Sequence, residues 1–247
     1  MAAIDEFVNR IICGDCLEVM KQLPDESIDM ILCDLPYGVT QNDWDSIIPL
    51  ESLWACYERI IKDSGAIVLF AQQPFTSLLV MSNKKFFKYS WVWDKVAGRG
   101  FLNAKKQPLR RTEDICIFYR AQCTYNPQMQ TVGRARHKGY PNKKQGRNYG
   151  EYKTKIAFNN TYYPTNLLQI SGAIQTNKMH PTQKPLELFQ YLILTYTNPR
   201  DIVLDNCCGS GTTGVACKNT SRNFIQIEKD PGYCKIAEDR LRQGVLF

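Results

Sequence analysis

Histidine is nearly absent from this chain, with two among 247 residues. Cys13 and Cys16 form one CxxC, but no second CxxC completes a zinc site, so no metal is expected. No apolar run reaches the length of a membrane span, and the opening MAAIDEFVNR has no apolar stretch of the kind found in a secretory leader. We therefore expect a soluble, cytoplasmic protein without membrane contact. In that setting ten cysteines read as reduced thiols, and Cys33 and Cys116 sit inside apolar strand-like runs. GxGxxG is missing, and no GK[ST] follows the glycine-rich stretch, so dinucleotide and P-loop motifs are not supported. No internal repeat is evident.

The chain does have apolar residues enough for one sizeable core, at 44% of the total, and too few residues for two full-sized domains. Its net charge is +7, unevenly placed. Between Lys95 and Lys155 stand 15 Lys and Arg against Glu113, Asp114 and Glu151, so the rest of the chain is mildly acidic. Charge alone leaves two readings open, a solvated loop or a polyanion-binding surface.

Strand-like and helix-like segments alternate. RIIC (10–13) reads as a strand and is followed by a helix over about 15–22; IDMILC (28–33) is an apolar run of strand length ending at DLPYG. Leu50, Leu53, Trp54, Tyr57, Ile60 and Ile61 recur at helical spacing, and AIVLF (66–70), KYSWVW (88–93) and ICIFY (115–119) are further strands. Alternation returns with a helix over 185–197, a strand at 202–205, a glycine turn, a helix to about 218, a strand at 223–228 and a last helix from Pro231 capped by Asp230. The pattern predicts an α/β fold, a doubly wound and mostly parallel Rossmann-like sheet. Residues 97–165 are rich in Gly, Asn, Lys, Arg and Tyr with little periodicity, and read as an insertion between core segments 1–96 and 166–247.

Two motifs carry chemistry. VLDNCCGSGTTG (203–214) runs from a strand through a glycine turn into a helix; Gly209 and Gly211 let the backbone approach a ligand, and the helix start offers free N–H groups. Glu228, 17 residues beyond Gly211 at the end of the next strand, can accept hydrogen bonds from two ribose hydroxyls. DLPYG (34–38) follows an apolar strand. Asp34 and the Leu35 carbonyl can accept the two protons of an amino group on a flat ring, Pro36 fixes the turn, and Tyr37 offers a stacking face. Taken singly, each motif also reads as an ordinary turn with a packed or solvated side chain.

Together they resemble the S-adenosylmethionine-dependent DNA amino-methyltransferases, in the beta class whose catalytic motif precedes the cofactor motif. DLPY is similar to that family's Asp-Pro-Pro-Tyr tetrapeptide, and DNCCGSGTT to its DPFxGSGTT, with Asn206-Cys207 in place of Pro-Phe. HPTQKPLELFQYLI (180–193) and GDCLEVMKQLPDESIDMILCDLPYG (14–38) match the segments before the cofactor and catalytic motifs. The resemblance covers about residues 10–95 and 178–242.

It implies a methyl donor, S-adenosyl-L-methionine, held by Asp15, Asp34, Lys184, Asp205, Cys207, Gly209, Gly211, Thr212 and Glu228, and catalysis by Asp34, Leu35, Pro36 and Tyr37. The two motifs, about 170 residues apart, should then end neighbouring parallel strands. The partner implied is double-stranded DNA with its target base flipped out, and a homodimer is compatible with the family. Residues 97–165 fall where the family recognises its target, which makes Lys105, Lys106, Arg110, Arg111, Arg134, Arg136, Lys143, Lys144 and Arg147 the DNA-contact candidates. Lys95 reads equally as core-edge structure or DNA contact. Asp at the first position of the tetrapeptide leans toward adenine N6 over cytosine N4. An RNA or protein N-methyltransferase, or a catalytically dead DNA-binding module, are the remaining alternatives.

Overall fold

The computed structural model describes residues 3–38, 47–139, 156–172 and 184–242. It divides into two compact units, 1–126 with 166–247, and 127–165.

The larger unit follows the alternation. Strands β1 (Arg10–Cys13), β2 (Ile28–Asp34), β3 (Ile61–Ala71), β4 (Phe87–Arg99), β5 (Arg110–Phe118), β8 (Leu167–Gln169), β9 (Ile202–Asp205) and β10 (Asn223–Glu228) form one sheet in the order β1-β10-β9-β2-β3-β5-β4-β8. All pairings are parallel except those of β5, which runs against β3 and β4. The period of two along β2 shows why both faces must be covered. Ile31 and Cys33 enter one apolar cluster with Met20, Leu53, Tyr57 and Leu79, whereas Met30 and Leu32 enter another with Leu188, Leu192, Ala216 and Cys217. The first cluster is covered by α1 (Cys16–Met20), α2 (Leu50–Ile60) and α3 (Phe75–Ser82); the second by α4 (Leu186–Tyr196) and α5 (Thr212–Asn219). The strand residues Ile31, Leu32, Ile67 and Val68 are fully buried, each stabilising the fold by about 1.5–3 kcal/mol. The last helix, α6 (Pro231–Arg242), starts where Asp230 accepts hydrogen bonds from the amides of Gly232 and Tyr233.

Helix α3 is an element the sequence pattern does not announce. Phe75 and Leu79 are buried while Leu78 and Met81 are exposed, so its apolar residues lie on both faces and trace no single stripe. The smaller compact unit begins at Pro127, later than the change of composition at residue 97. Residues 97–126 pack within the larger unit, because β5 is an interior strand whose Ile115, Cys116, Ile117 and Phe118 are all fully buried.

The smaller unit, 127–165, holds a two-stranded antiparallel ribbon of β6 (Gln130–Lys138) and β7 (Ala157–Tyr162). The β6 residues are exposed almost throughout, and the ribbon's apolar contacts are local, such as His137 against Phe158.

Candidate active site

The sheet order places β9 beside β2, the point where the chain's winding reverses, and the register Met30 with Val203 and Ile31 with Leu204 sets Asp34 two residues beyond the level of Asp205, beside the turn that follows β9. Asp34 therefore ends one strand and Asp205 its neighbour, which is where ligands bind in open α/β sheets.

At the β2 end the site is built from charges. The Tyr37 phenol lies 2.6 Å from Asp34 Oδ1 and 3.0 Å from Glu113 Oε1, so one hydroxyl proton is shared between two carboxylates. Lys184 Nζ lies 2.5 Å from Asp34 Oδ2 and 3.0 Å from Glu113 Oε1, and Lys95 Nζ lies 2.6 Å from Glu113 Oε2. Two lysines and two carboxylates thus balance in a largely buried cluster. Burial alone would lower the Lys184 pKa, but Asp34 and Glu113 overcome it and hold the ammonium charged. Burial likewise opposes ionisation of Glu113, and Lys184 and Lys95 reverse that, keeping its carboxyl below the ordinary value. The Tyr37 phenol is pushed well up, first by burial and then by the two anions, so it stays a donor. Its ring stacks on Phe75 at 5.3 Å, and Lys184 Nζ lies 6.0 Å from its centroid.

The β9 end is shaped by backbone. Gly209 has φ +51°, and a Cβ there would meet nothing within 4 Å, so the turn is open beside it. Gly211, at φ +78°, starts α5, and a Cβ there would fall 2.7 Å from that of Ala237 on α6. Glu228 Oε2 accepts the Gly209 amide at 2.8 Å, and Oε1 accepts that of Asp230 at 2.9 Å. Asp205 is almost fully buried, accepts from Thr213 Oγ1 and from the Cys207 amide, and burial pushes its carboxyl up to about 7. Arg240 of α6 clamps the turn, its guanidinium 2.5 Å from the Ser210 carbonyl and 3.3 Å from Thr212 Oγ1. Where the family has Pro-Phe, Asn206 turns inward to the Tyr57 hydroxyl at 2.5 Å, and Cys207 meets the thiols of Cys16 and Cys33. Asp15 spends one oxygen capping α1 at Leu17 and Glu18. All ten cysteines are free thiols.

The sheet thus gathers Asp34, Leu35, Pro36 and Tyr37 beside Asp205, Cys207, Gly209, Gly211, Thr212 and Glu228, with Asp15 following β1 on the far side of β10. Lys184, which the resemblance implied at the cofactor, pairs its ammonium with Asp34 and Glu113. Glu113 is the residue sequence reasoning passed over. Its one signal was a lone Glu-Asp pair inside a basic stretch, just before the apolar ICIF. Lys95 resolves to core-edge structure, pairing with Glu113 and lying 5.2 Å over the Trp93 ring.

The DNA-contact candidates that the structure describes fall in both units. Lys105 and Lys106 are exposed on the loop joining β4 to β5, and Arg110 is exposed with a hydrogen bond to Gln72 at 3.0 Å. Arg111 grips Asp94 through two bonds at 2.6 and 2.7 Å, so its fork is occupied within the fold, and the pair holds the Asp94 carboxyl far below its usual range. Arg134 and Arg136 lie exposed on β6 in the smaller unit, and Lys143, Lys144 and Arg147 lie outside the described residues. Among the described residues no cluster of His, Cys, Asp or Glu forms a metal site, and no helix is long and apolar enough to cross a membrane.

A glycine turn and an acid-aromatic tetrapeptide ending adjacent parallel strands define a Rossmann-like enzyme that sets a nucleotide-type cofactor against a flat, amino-bearing substrate. The model of the DNA methylase family matches residues 28–239, and the chain belongs to that family. It is 29% identical to the type II methyltransferase M.HinfI of Haemophilus influenzae, covering 97% of this chain and 70% of that protein. It is 27% identical to the DNA adenine methyltransferase YhdJ of Escherichia coli strain K12, covering 94% and 82%. Among solved structures, the M1.HpyAVI–SAM complex matches with a TM-score of 0.64 at 28% identity over 94% of this chain and 98% of that one. The cytosine-N4-specific PvuII DNA methyltransferase shares the fold, with a TM-score of 0.68 at 18% identity over 93% and 85%.

Proposed function

We propose that this DNA methyltransferase transfers a methyl group from S-adenosyl-L-methionine to the N6 amino group of adenine at a specific site in double-stranded DNA, after the base has been flipped from the helix. The observation that carries the reading is the placement of Asp34 and the Leu35 backbone at the end of β2, level with the open glycine turn at the end of β9. A relative named for adenine methylation and a neighbour solved with SAM support it.

The residues of the turn fit the cofactor. Gly209 leaves space beside the backbone, the start of α5 offers amide donors to a carboxylate, and Glu228 keeps acceptor lone pairs for ribose hydroxyls. Cys207 and Cys16 would line the adenine edge, and Asp15 with Thr212 would complete the cradle. When bound, the cofactor supplies an electrophilic methyl group.

The chain's own residues act on the amino group. Its lone pair is delocalised into the base ring, which makes the nitrogen a poor nucleophile. Asp34 and the Leu35 carbonyl, each accepting one amino proton, would draw the nitrogen toward a tetrahedral shape and free the lone pair. Asp34 can do so while bound to Tyr37 and Lys184, because an ionised carboxylate offers about four lone-pair sites. The Tyr37 ring would stack on the base, a contact worth about 1–3 kcal/mol. Lys184 and Glu113 are positioning residues here, Lys184 bonding Asp34 directly and Glu113 holding Lys184 and Tyr37 in place.

The test is to express the protein in cells whose DNA lacks adenine methylation, digest that DNA and identify the modified nucleoside. N6-methyladenine at one sequence context supports the reading. N4-methylcytosine would transfer it to the other amino base, and unmodified DNA would overturn it.

A further inference from the structure

Between Arg99 and Arg110, the last paired residues of β4 and β5, the chain makes a ten-residue tip, and on it Phe101 is 80% and Leu102 98% exposed. Single exposed apolar residues are ordinary on protein surfaces. Two adjacent ones displayed almost whole, within the most basic stretch of the chain, are not. Gly100, at φ +86°, turns the strand into a short 3-10 turn over Phe101–Asn103, which presents both side chains outward. Below the tip, Leu109 packs so closely on Gly98 that a Cβ on that glycine would come within 2.8 Å of it, so the two limbs of the arm touch.

The register fixes where the arm points. Asp34 lies level with Phe70, and Phe70 with Ile115, so β5 residues numbered below 115 continue past the sheet edge on which Asp34 sits. Glu113, which touches Tyr37 and Lys184, lies at the root of the arm. Three further residues of strand, about 10 Å at 3.4 Å per residue, lead to the tip. A cleft of about 420 Å³ lined by Gln72, Leu109, Arg110 and Glu113 runs from the root along the arm. Residues 95–111 contain six Lys and Arg and no acid. Arg99, Lys105 and Lys106 pair with no carboxylate among the described residues.

We propose that this arm is a DNA wedge. Its basic residues lie along the phosphates, and Phe101 and Leu102 enter the base stack to fill the space left by the extruded base. The proposal rests on the reading of the protein as an enzyme that flips its target. An apolar side chain between bases replaces the stacking lost on extrusion, and Phe and Leu are among the residues that serve this way. Charge complementarity selects DNA over a second copy of the chain, since two such arms would oppose like charges.

The experiment uses the full chain and duplexes carrying its own recognition sequence, with 2-aminopurine at the target position for fluorescence and adenine there for single-turnover methylation. The Phe101→Ala/Leu102→Ala variant should lose at least tenfold in methylation rate on a fully paired duplex and give little of the fluorescence rise seen with wild type. Opposite an abasic site, where the target is already unpaired, its rate should return to within threefold of wild type. Leu102→Ala alone should show the same pattern at smaller size, and calorimetric affinity for S-adenosyl-L-methionine should be unchanged in both. Equal losses on both duplexes, no loss on either, or a loss that tracks dissociation of a dimer in sedimentation would each overturn the wedge. Wild-type protein that opens 2-aminopurine through this arm yet methylates no DNA would sink the proposed reaction and leave the wedge standing. Methylation with full opening by the double variant would do the reverse.

Discussion

The two strand ends that make the site are constructed in opposite ways. At β2, position is held by side-chain charge: Asp34, Tyr37, Lys184, Glu113 and Lys95 are linked by contacts of 2.5 to 3.0 Å. At β9, position is held by backbone shape: two glycines at positive φ, a carboxylate bonded to an amide, and a clamp from α6. The difference predicts opposite sensitivities. The β2 end should fail on a change of charge that leaves shape intact, and the β9 end on a change of bulk that leaves charge intact.

The sharpest break of that contrast is Asp34→Asn, which is nearly isosteric. It should cut kcat by about a hundred- to a thousandfold, the usual cost of one group aimed at the reacting centre, while affinity for S-adenosyl-L-methionine by calorimetry stays near wild type. Turnover close to wild type would move the chemistry away from β2. Gly211→Val is the matching change of bulk. It puts a β-branched residue at φ +78° with its Cβ 2.7 Å from that of Ala237, costing about 1–3 kcal/mol in backbone strain. Melting temperature and cofactor affinity should fall together, and unchanged values for both would remove the backbone account of β9.

Glu113→Gln tests whether the charge balance matters or only the contacts. Gln keeps the shape but removes the carboxylate that pairs with Lys95 and leaves Lys184 with Asp34. Breaking a buried pair on one side costs about 3–5 kcal/mol, and kcat should drop by about tenfold with KM for DNA little changed, as for a positioning residue whose loss is worth about 1.4 kcal/mol in the barrier. The pH dependence has a definite sign. The native Glu113 carboxyl is held below its unfolded value, so its stabilisation is present above that value and lost as pH falls through the native one. The stability gap between wild type and Glu113→Gln should therefore be widest at neutral pH and narrow in acid. A gap independent of pH would mean that Glu113 acts by packing alone.

The same contrast explains what could be read in the sequence. The β9 end was legible because backbone requirements select residue types, and Gly209, Gly211 and a following strand ending in Glu228 write those requirements openly. Asp34 and Tyr37 were legible as a pair only because they are three residues apart. Glu113 was not, because what makes it part of the site is an antiparallel pairing of β5 with β3 that carries it across to Tyr37, 76 positions away in the chain. The ion-pair partner of Arg111 was hidden for a related reason, since composition shows a guanidinium alone and only the β4–β5 register brings Asp94 beneath it. The boundary at 97 followed composition, whereas ICIF at the far end of the hairpin belongs to the interior of the sheet. Local rules record turns and periodic faces; pairings across strands leave no such trace.

The smallest predicted effect probes the carboxyl buried at the backbone-built end. Asp205 keeps its proton up to about 7 in the native state, whereas an unfolded aspartate loses it near about 3.9. Between those values the native protein binds more protons than the unfolded chain, so this group's contribution to stability declines as pH rises through the window. Asp205→Asn carries no titrating proton there, and its amide can still donate to Thr213 while its carbonyl accepts from the Cys207 amide. The variant should match wild type near pH 5 and exceed it in melting temperature by a few degrees at pH 8. If instead it loses stability equally at both pH values, the carboxyl is ionised in the fold, and the β9 end depends on charge in the same way as β2.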